Sequence, residues 1–128
     1  MALGLAPAVA NAWLDALGNA TNYTAPLAFW MKLHVGDPGV AGTTNPAVET
    51  TRKQVSFGVA ASGLISNDVA VTWTNVAGSE DYTHWSAHDA STAGNFLCSG
   101  LMTANAVTAA DNFEIPIGDV DLDLNVAA

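Results

Sequence analysis

Residues 82–103, Y-T-H-W-S-A-H-D-A-S-T-A-G-N-F-L-C-S-G-L-M-T, constrain the fold of this chain more than any other stretch. The first half alternates, with Tyr82, His84, Ser86 and His88 on one side and Thr83, Trp85, Ala87 and Asp89 on the other. That is the two-residue period of a strand. Residues 89–95 are a cluster of turn formers in which Gly94 is free to take a positive φ. Residues 96–102 then return as a second, largely apolar strand. Two such runs around a Gly-bearing loop predict a β-hairpin, and Trp85, Phe96 and Leu97 give it the bulk to seed a core.

The same period recurs along the chain. In residues 27–35, Phe29, Met31, Leu33 and Val35 form one face, and Ala28, Trp30, Lys32 and His34 a half-polar other face. Residues 52–59 place Val55, Phe57 and Val59 inside. Residues 64–67 read as a short edge element, and 69–74 put Val69, Val71 and Trp73 on one face. Beyond a loop expected from Thr103 to Asp111, Phe113, Ile115 and Ile117 alternate inward, and Pro116 implies a sheet edge because it has no N–H to donate. The last strand sets Val120, Leu122, Leu124 and Val126 against Asp119, Asp121, Asp123 and Asn125. About seven short strands at regular spacing predict a mainly β chain, an antiparallel β-sandwich of Ig-like or jelly-roll-like form.

Only residues 6–17 read as helix. Val9, Trp13 and Leu17 fall at i, i+4 and i+8, Pro7 suits the first turn, and Gly18 suits the C′ position. The expected organisation is a single domain, with a short N-terminal α-helix and linker over 1–26 and the sandwich over 27–128. The helix face has to pack on the sandwich or on a neighbouring subunit, which makes Val9, Trp13 and Leu17 candidate assembly contacts. Turn residues 36–39, G-D-P-G, open a long loop to about residue 51. Asp37, Pro38, Asn45 and Pro46 are candidate contacts on it.

Half of the residues are hydrophobic and 12% are charged. A surface of Ser, Thr, Asn and Gly is buried against another subunit at small desolvation cost, which points to a homo-oligomer or a larger assembly. The net charge is −9, with Lys32, Arg52 and Lys53 as the only Lys or Arg residues. Direct nucleic-acid binding needs clustered cations and is not expected, and anionic membranes are disfavoured for the same reason. No run approaches the roughly 20 apolar residues that span a bilayer. The single cysteine, Cys98, cannot make an internal disulfide and reads as a small buried hydrophobe.

Chemistry is sparse. On a straight strand His84 and His88 lie about 13 Å apart, too far to share a zinc unless a bulge or His34 intervenes. Asp119, Asp121 and Asp123 are each separated by nearly 7 Å on an extended strand and lack a calcium-loop signature, so they read as a solvated face. Cys98 and Ser99 have no nucleophile elbow, and an apolar run raises a thiol pKa rather than activating it. No phosphate cradle or dinucleotide fingerprint occurs. No catalytic residue, cofactor or metal is expected, and the chain reads as a non-enzyme. A sugar- or receptor-binding module is the rival, with Trp30, Trp73, Tyr82 and Trp85 as a stacking platform; Trp73 and Trp85 are the better core candidates.

Four segments, in order and spacing, carry a resemblance: L-H-V-G-D-P-G at 33–39 with N-P-A-V-E-T-T-R-K at 45–53, V-S-F-G-V-A-A-S-G-L-I-S-N at 55–67, V-T-W-T-N-V-A-G-S-E-D-Y-T-H-W-S-A-H-D-A-S-T-A-G-N-F-L-C-S-G at 71–100, and I-P-I-G-D-V-D-L-D-L at 115–124. Together they resemble small virion structural proteins of tailed phages of actinobacteria, of the head-decoration, minor tail or tail-fibre type. The resemblance covers roughly residues 27–126. It departs at T-H-W-S-A-H-D, where such proteins carry a T-H-V-G-I-W-D type sequence, so that His88 takes the place of a bulky aromatic. It implies a virion location after assembly in the host cytoplasm, with major capsid protein or tail proteins as partners. The preferred placement is a capsid decoration protein on the outside of the head. A minor tail or tail-fibre component is the alternative.

Overall fold

The computed structural model describes residues 4–127, so Met1, Ala2 and Leu3 of the apolar N-terminal run lie outside it. The described residues form one helix and nine strands: β1 (Gly4–Leu5), α1 (Pro7–Asn19), β2 (Trp30–His34), β3 (Lys53–Gln54), β4 (Leu64–Ser66), β5 (Val71–Trp73), β6 (Glu80–His88), β7 (Phe96–Val107), β8 (Phe113–Ile115) and β9 (Asp121–Asp123). The main sheet runs β1-β7-β6-β2-β3, and β4–β9 and β5–β8 are two-stranded ribbons. Every pairing is antiparallel. The chain is mainly β with one short N-terminal helix, a sandwich-like fold as the strand pattern predicts.

The central hairpin is β6 and β7, with Trp85 opposite Gly100 and Ala87 opposite Cys98. Residues directly opposite share a face. Met31 and Leu33 therefore lie with Ala87 and Trp85, and all four are buried. Two aromatic clusters fill the core. Phe29 meets Phe57 edge-on at 5.0 Å and Trp85 at 6.0 Å, and Phe113 bridges Trp73 at 5.7 Å and Tyr82 at 5.0 Å. Trp73 and Trp85 are core, as expected, and so is Tyr82. Cys98 is buried, and burial pushes its thiol up to about 12.

Several boundaries differ from the sequence reading. β1 was not foreseen: its two residues pair with Ser99 and Cys98 and tie the N-terminal segment to the sheet. The helix runs through Gly18 and ends at Ala20, which takes the left-handed conformation at φ 53. Asn19 donates to the Asp15 carboxylate at 2.8 Å, and the Thr21 N–H reaches the Asp15 carbonyl at 3.3 Å. The strand read over 52–59 stops early. The Val55 N–H still bonds Phe29, but Phe57 pairs with Asn67 and the Gly58 N–H turns to Ser66, which leaves Val59 exposed. Val69, Ile117, Leu124 and Val126, read as core-facing, are also exposed. The loop expected after Thr103 is instead ladder, since β7 runs on to pair Val107 with Glu80 beyond a bulge.

Candidate functional site

Two surfaces of the main sheet carry what chemistry there is. On one, an apolar trough runs between the sheet and the elements packed beside it. Its larger part, about 710 Å³, lies between β1–β7 and the β4–β9 ribbon and is lined by Leu5, Trp13, Leu64, Leu101, Leu122 and Leu124, among others. A second part of about 480 Å³ lies beneath the helix, against Val9, Tyr23, Phe29 and Phe57. Leu5, Trp13, Cys98 and Leu122 belong to both, which makes the trough continuous. Gly100 lines it where a Cβ would fall 2.8 Å from Nε1 of the Trp85 indole, so only glycine lets β7 pass that ring.

The candidate contacts separate into two groups. Val9 and Trp13 are half-buried on the trough. Val9 packs on the core, and Trp13 meets Tyr23 edge-on at 6.1 Å. Leu17 is 87% exposed and Leu14 65%, so the far end of the helix leaves its apolar face uncovered by the described residues. Asp37, Pro38, Asn45 and Pro46 line neither part of the trough. Asp37 accepts from the Gly39 N–H at 2.8 Å and, through its carbonyl, from the Asn45 side chain at 3.0 Å. Pro38 is buried inside the loop, while Asn45 and Pro46 are exposed.

That loop covers part of the opposite face. Sequence alternation sets His34 on the half-polar face of its strand and Ser86 and His88 on the side opposite Trp85, and all three are buried. His34 Nδ1 lies 2.8 Å from the Thr44 carbonyl, which can only accept, so Nδ1 carries the proton and Nε2 is an acceptor. The Ser86 hydroxyl then donates to that Nε2 at 2.8 Å and accepts from His88 Nε2 at 3.2 Å. Gly42, at φ +67, packs against the Phe96 ring, which in turn lies 5.8 Å from His88. Ser86 is fully enclosed, so no substrate reaches its hydroxyl. Among the described residues no three His, Cys, Asp or Glu groups gather where a metal ion would fit.

Burial holds both imidazoles neutral. Desolvation, then the nearby Arg52 and Lys32 charges, lowers His88 to about 4 against the weaker pull of Asp89, and desolvation also lowers His34. The unfolded chain takes up protons near pH 6.5, whereas folded His88 takes one only near 4. Stability is therefore complete above pH 6.5 and falls as pH drops towards 4, by an amount of order 3 kcal/mol for His88. Thermal melts at pH 7.5, 6.0 and 5.0 are expected to show a progressive fall that His88→Phe flattens. An equal slope in that variant would refute the assignment.

The family comparison bears on this geometry as a whole. The family model described as podophage GP4 fiber I protein gp80 matches residues 4–123, from β1 through β9. The chain belongs to that family. It is a structural protein of a tailed-phage virion. No curated protein matches the chain. For a fibre-family chain the residues that sequence reasoning missed are architectural. Asn67 joins the two ribbons. Glu80 accepts the Val48 N–H at 2.7 Å and Glu49 accepts the Ala77 N–H at 3.0 Å, which fastens residues 48–51 to the sheet and to the loop after β5. The run S-N-D at 66–68, all turn-forming residue types, is the local signal that could have singled out Asn67 within what reads as an edge element.

Proposed function

We propose that this chain is a non-enzymatic component of a podophage tail fibre, and that it meets its virion neighbours, further copies included, through the apolar trough. The observation that carries the reading is the family match from Gly4 to Asp123, which takes in the helix and every strand. The fibre description favours the tail placement over the capsid-decoration placement, and it lends the actinobacterial host no support. The trough suits assembly because it is apolar, continuous and ringed by exposed leucines, in a chain of which only 12% is charged. The four-ring stacking platform is not available, because Trp73, Tyr82 and Trp85 are buried.

Gold-labelled antibody against the chain, imaged on intact virions, is expected to decorate the tail region. Label over the head surface would return the capsid placement, and no label would remove the chain from the virion exterior. Leu101→Glu with Leu124→Glu tests the trough. Both side chains are 57% exposed, so the folded chain is expected to lose no more than about 0.5 kcal/mol, while incorporation into virions falls at least tenfold. Full incorporation of that variant would show that the trough is not the contact face.

A further inference from the structure

We propose that the margin of the polar sheet face, formed by Trp30, Lys32, Arg52 and Gln54, is a binding site for an acidic saccharide, with the ring of Trp30 under the sugar and the two cations on its carboxylate or phosphate. The site stands apart from the tail placement and from the trough. It begins with register. Trp30 lies between Gln54 on one neighbouring strand and His88 on the other, and Lys32 lies opposite Ser86. One step further along the same register places Arg52 beside Lys32. The chain thus sets two of its three Lys and Arg side chains together on one face, in a molecule of net charge −9.

Neither the ring nor the ammonium has an aromatic, hydrogen-bonding or charged partner of opposite sign among the described residues. Trp13 has Tyr23, Trp85 has Phe29, and Trp73 has Phe113 and a hydrogen bond to the Thr51 carbonyl. The Trp30 side chain, half-buried, has no ring partner and no hydrogen bond among the described residues. Lys32 is also half-buried, and its ammonium has no hydrogen bond or carboxylate partner there. Its charge is opposed by desolvation and by Arg52. Arg52 is held rigidly, donating through Nη1 to the Ala90 and Ala93 carbonyls at 2.8 and 2.6 Å. The carboxylate acting on Arg52 is Asp89, whose oxygens accept from the Asn95 backbone and side chain at 2.7 and 2.8 Å.

Two like charges held together and partly desolvated are unfavourable unless an anion joins them. An indole face beside them accepts the C–H face of a sugar ring, and Gln54 offers a donor and an acceptor for hydroxyls. His88 contributes no charge at neutral pH and leaves the anion to Lys32 and Arg52. A uronate and a sugar phosphate share this chemistry.

The full chain titrated with methyl glucuronide, glucose 6-phosphate, methyl glucoside, acetate and inorganic phosphate, followed by amide and indole NMR shifts, tests the proposal. Saturable shifts at Trp30 and Lys32 are expected with one or both acidic sugars, weakening with added salt. The neutral sugar and the free anions are expected to bind at least tenfold more weakly. The relative affinities for glucuronide and phosphate identify the anion source. Lys32→Met and Trp30→Leu, each checked for an unchanged fold by the rest of the spectrum, should each weaken binding tenfold or more. Equal response to acetate or inorganic phosphate alone would mean an adventitious ion only and overturn the proposal. So would no response, or shifts at Trp30 that follow protein concentration and mark a contact between copies.

Discussion

Asn67→Ala is expected to destabilise the fold by about 3 kcal/mol and to lower its melting temperature by roughly 10 °C. Asn67 is 2% exposed, and its amide makes four hydrogen bonds. The nitrogen donates to the Val69 and Pro116 carbonyls at 2.8 and 3.0 Å. The oxygen accepts from the Gly118 and Val120 N–H groups at 3.0 and 2.9 Å. These groups sit where the chain passes from β4 to β5 and from β8 to β9, so a single side chain holds the two ribbons in register. Alanine leaves their backbone groups without the amide in a place where water does not readily replace it. The Gly118 N–H keeps one partner, the Asn67 carbonyl at 3.0 Å, which keeps the cost below the sum of four lost bonds. Asn105→Ala, at an exposed position on β7, is the control and should change stability by no more than about 0.5 kcal/mol. A loss under about 1 kcal/mol for Asn67→Ala would show that the ribbons are held by their ladders alone.

Gly100→Val is expected to cost a further 2–3 kcal/mol or so by a different route, overpacking. A Cβ at this position meets the Trp85 ring 2.6 Å from Cε2 and 2.8 Å from Nε1, and Trp85 has little room to retreat because Phe29 stands 6.0 Å from it. The indole is forced outward into the trough, so its emission should shift to the red as well. In Trp85→Leu the same substitution should cost at least 1 kcal/mol less, a coupling that a double-mutant cycle measures directly. Additive effects would mean that valine is disfavoured at position 100 for reasons unconnected with the ring.

The hairpin, the core tryptophans and the buried thiol were legible in the sequence because each rests on local alternation between large apolar and small polar residues. Alternation says which side chains share a face. It does not say whether anything covers that face. Val59, Ile117, Leu124 and Val126 continue their strands' pattern faultlessly and are exposed, because the partner strand ends or the chain turns away before reaching them. The reverse holds for His34, Ser86 and His88, polar side chains that alternation alone leaves without a cover and that are buried under residues 36–47, a covering supplied by a loop distant from β6 in sequence. The trough was legible only at Val9 and Trp13. Its other half comes from β4 and β9, whose pairing joins segments far apart in the chain.

The sheet order has a consequence for how the protein is made. Gly4 and Leu5 cannot find their places until Cys98 and Ser99 exist, β2 waits for β6, and the two ribbons are nested, β4 with β9 enclosing β5 with β8. Among the long pairings only the β6–β7 hairpin joins neighbours in sequence. A nascent chain emerging from the ribosome therefore carries β1 unpaired, and β2 held only by its two-residue pairing with β3, until β6 and β7 have been synthesised. Closing such distant contacts is slow, and the apolar surface stays open to other chains meanwhile. Folding should start at the hairpin and finish at β1, so that a segment made early is among the last to be secured.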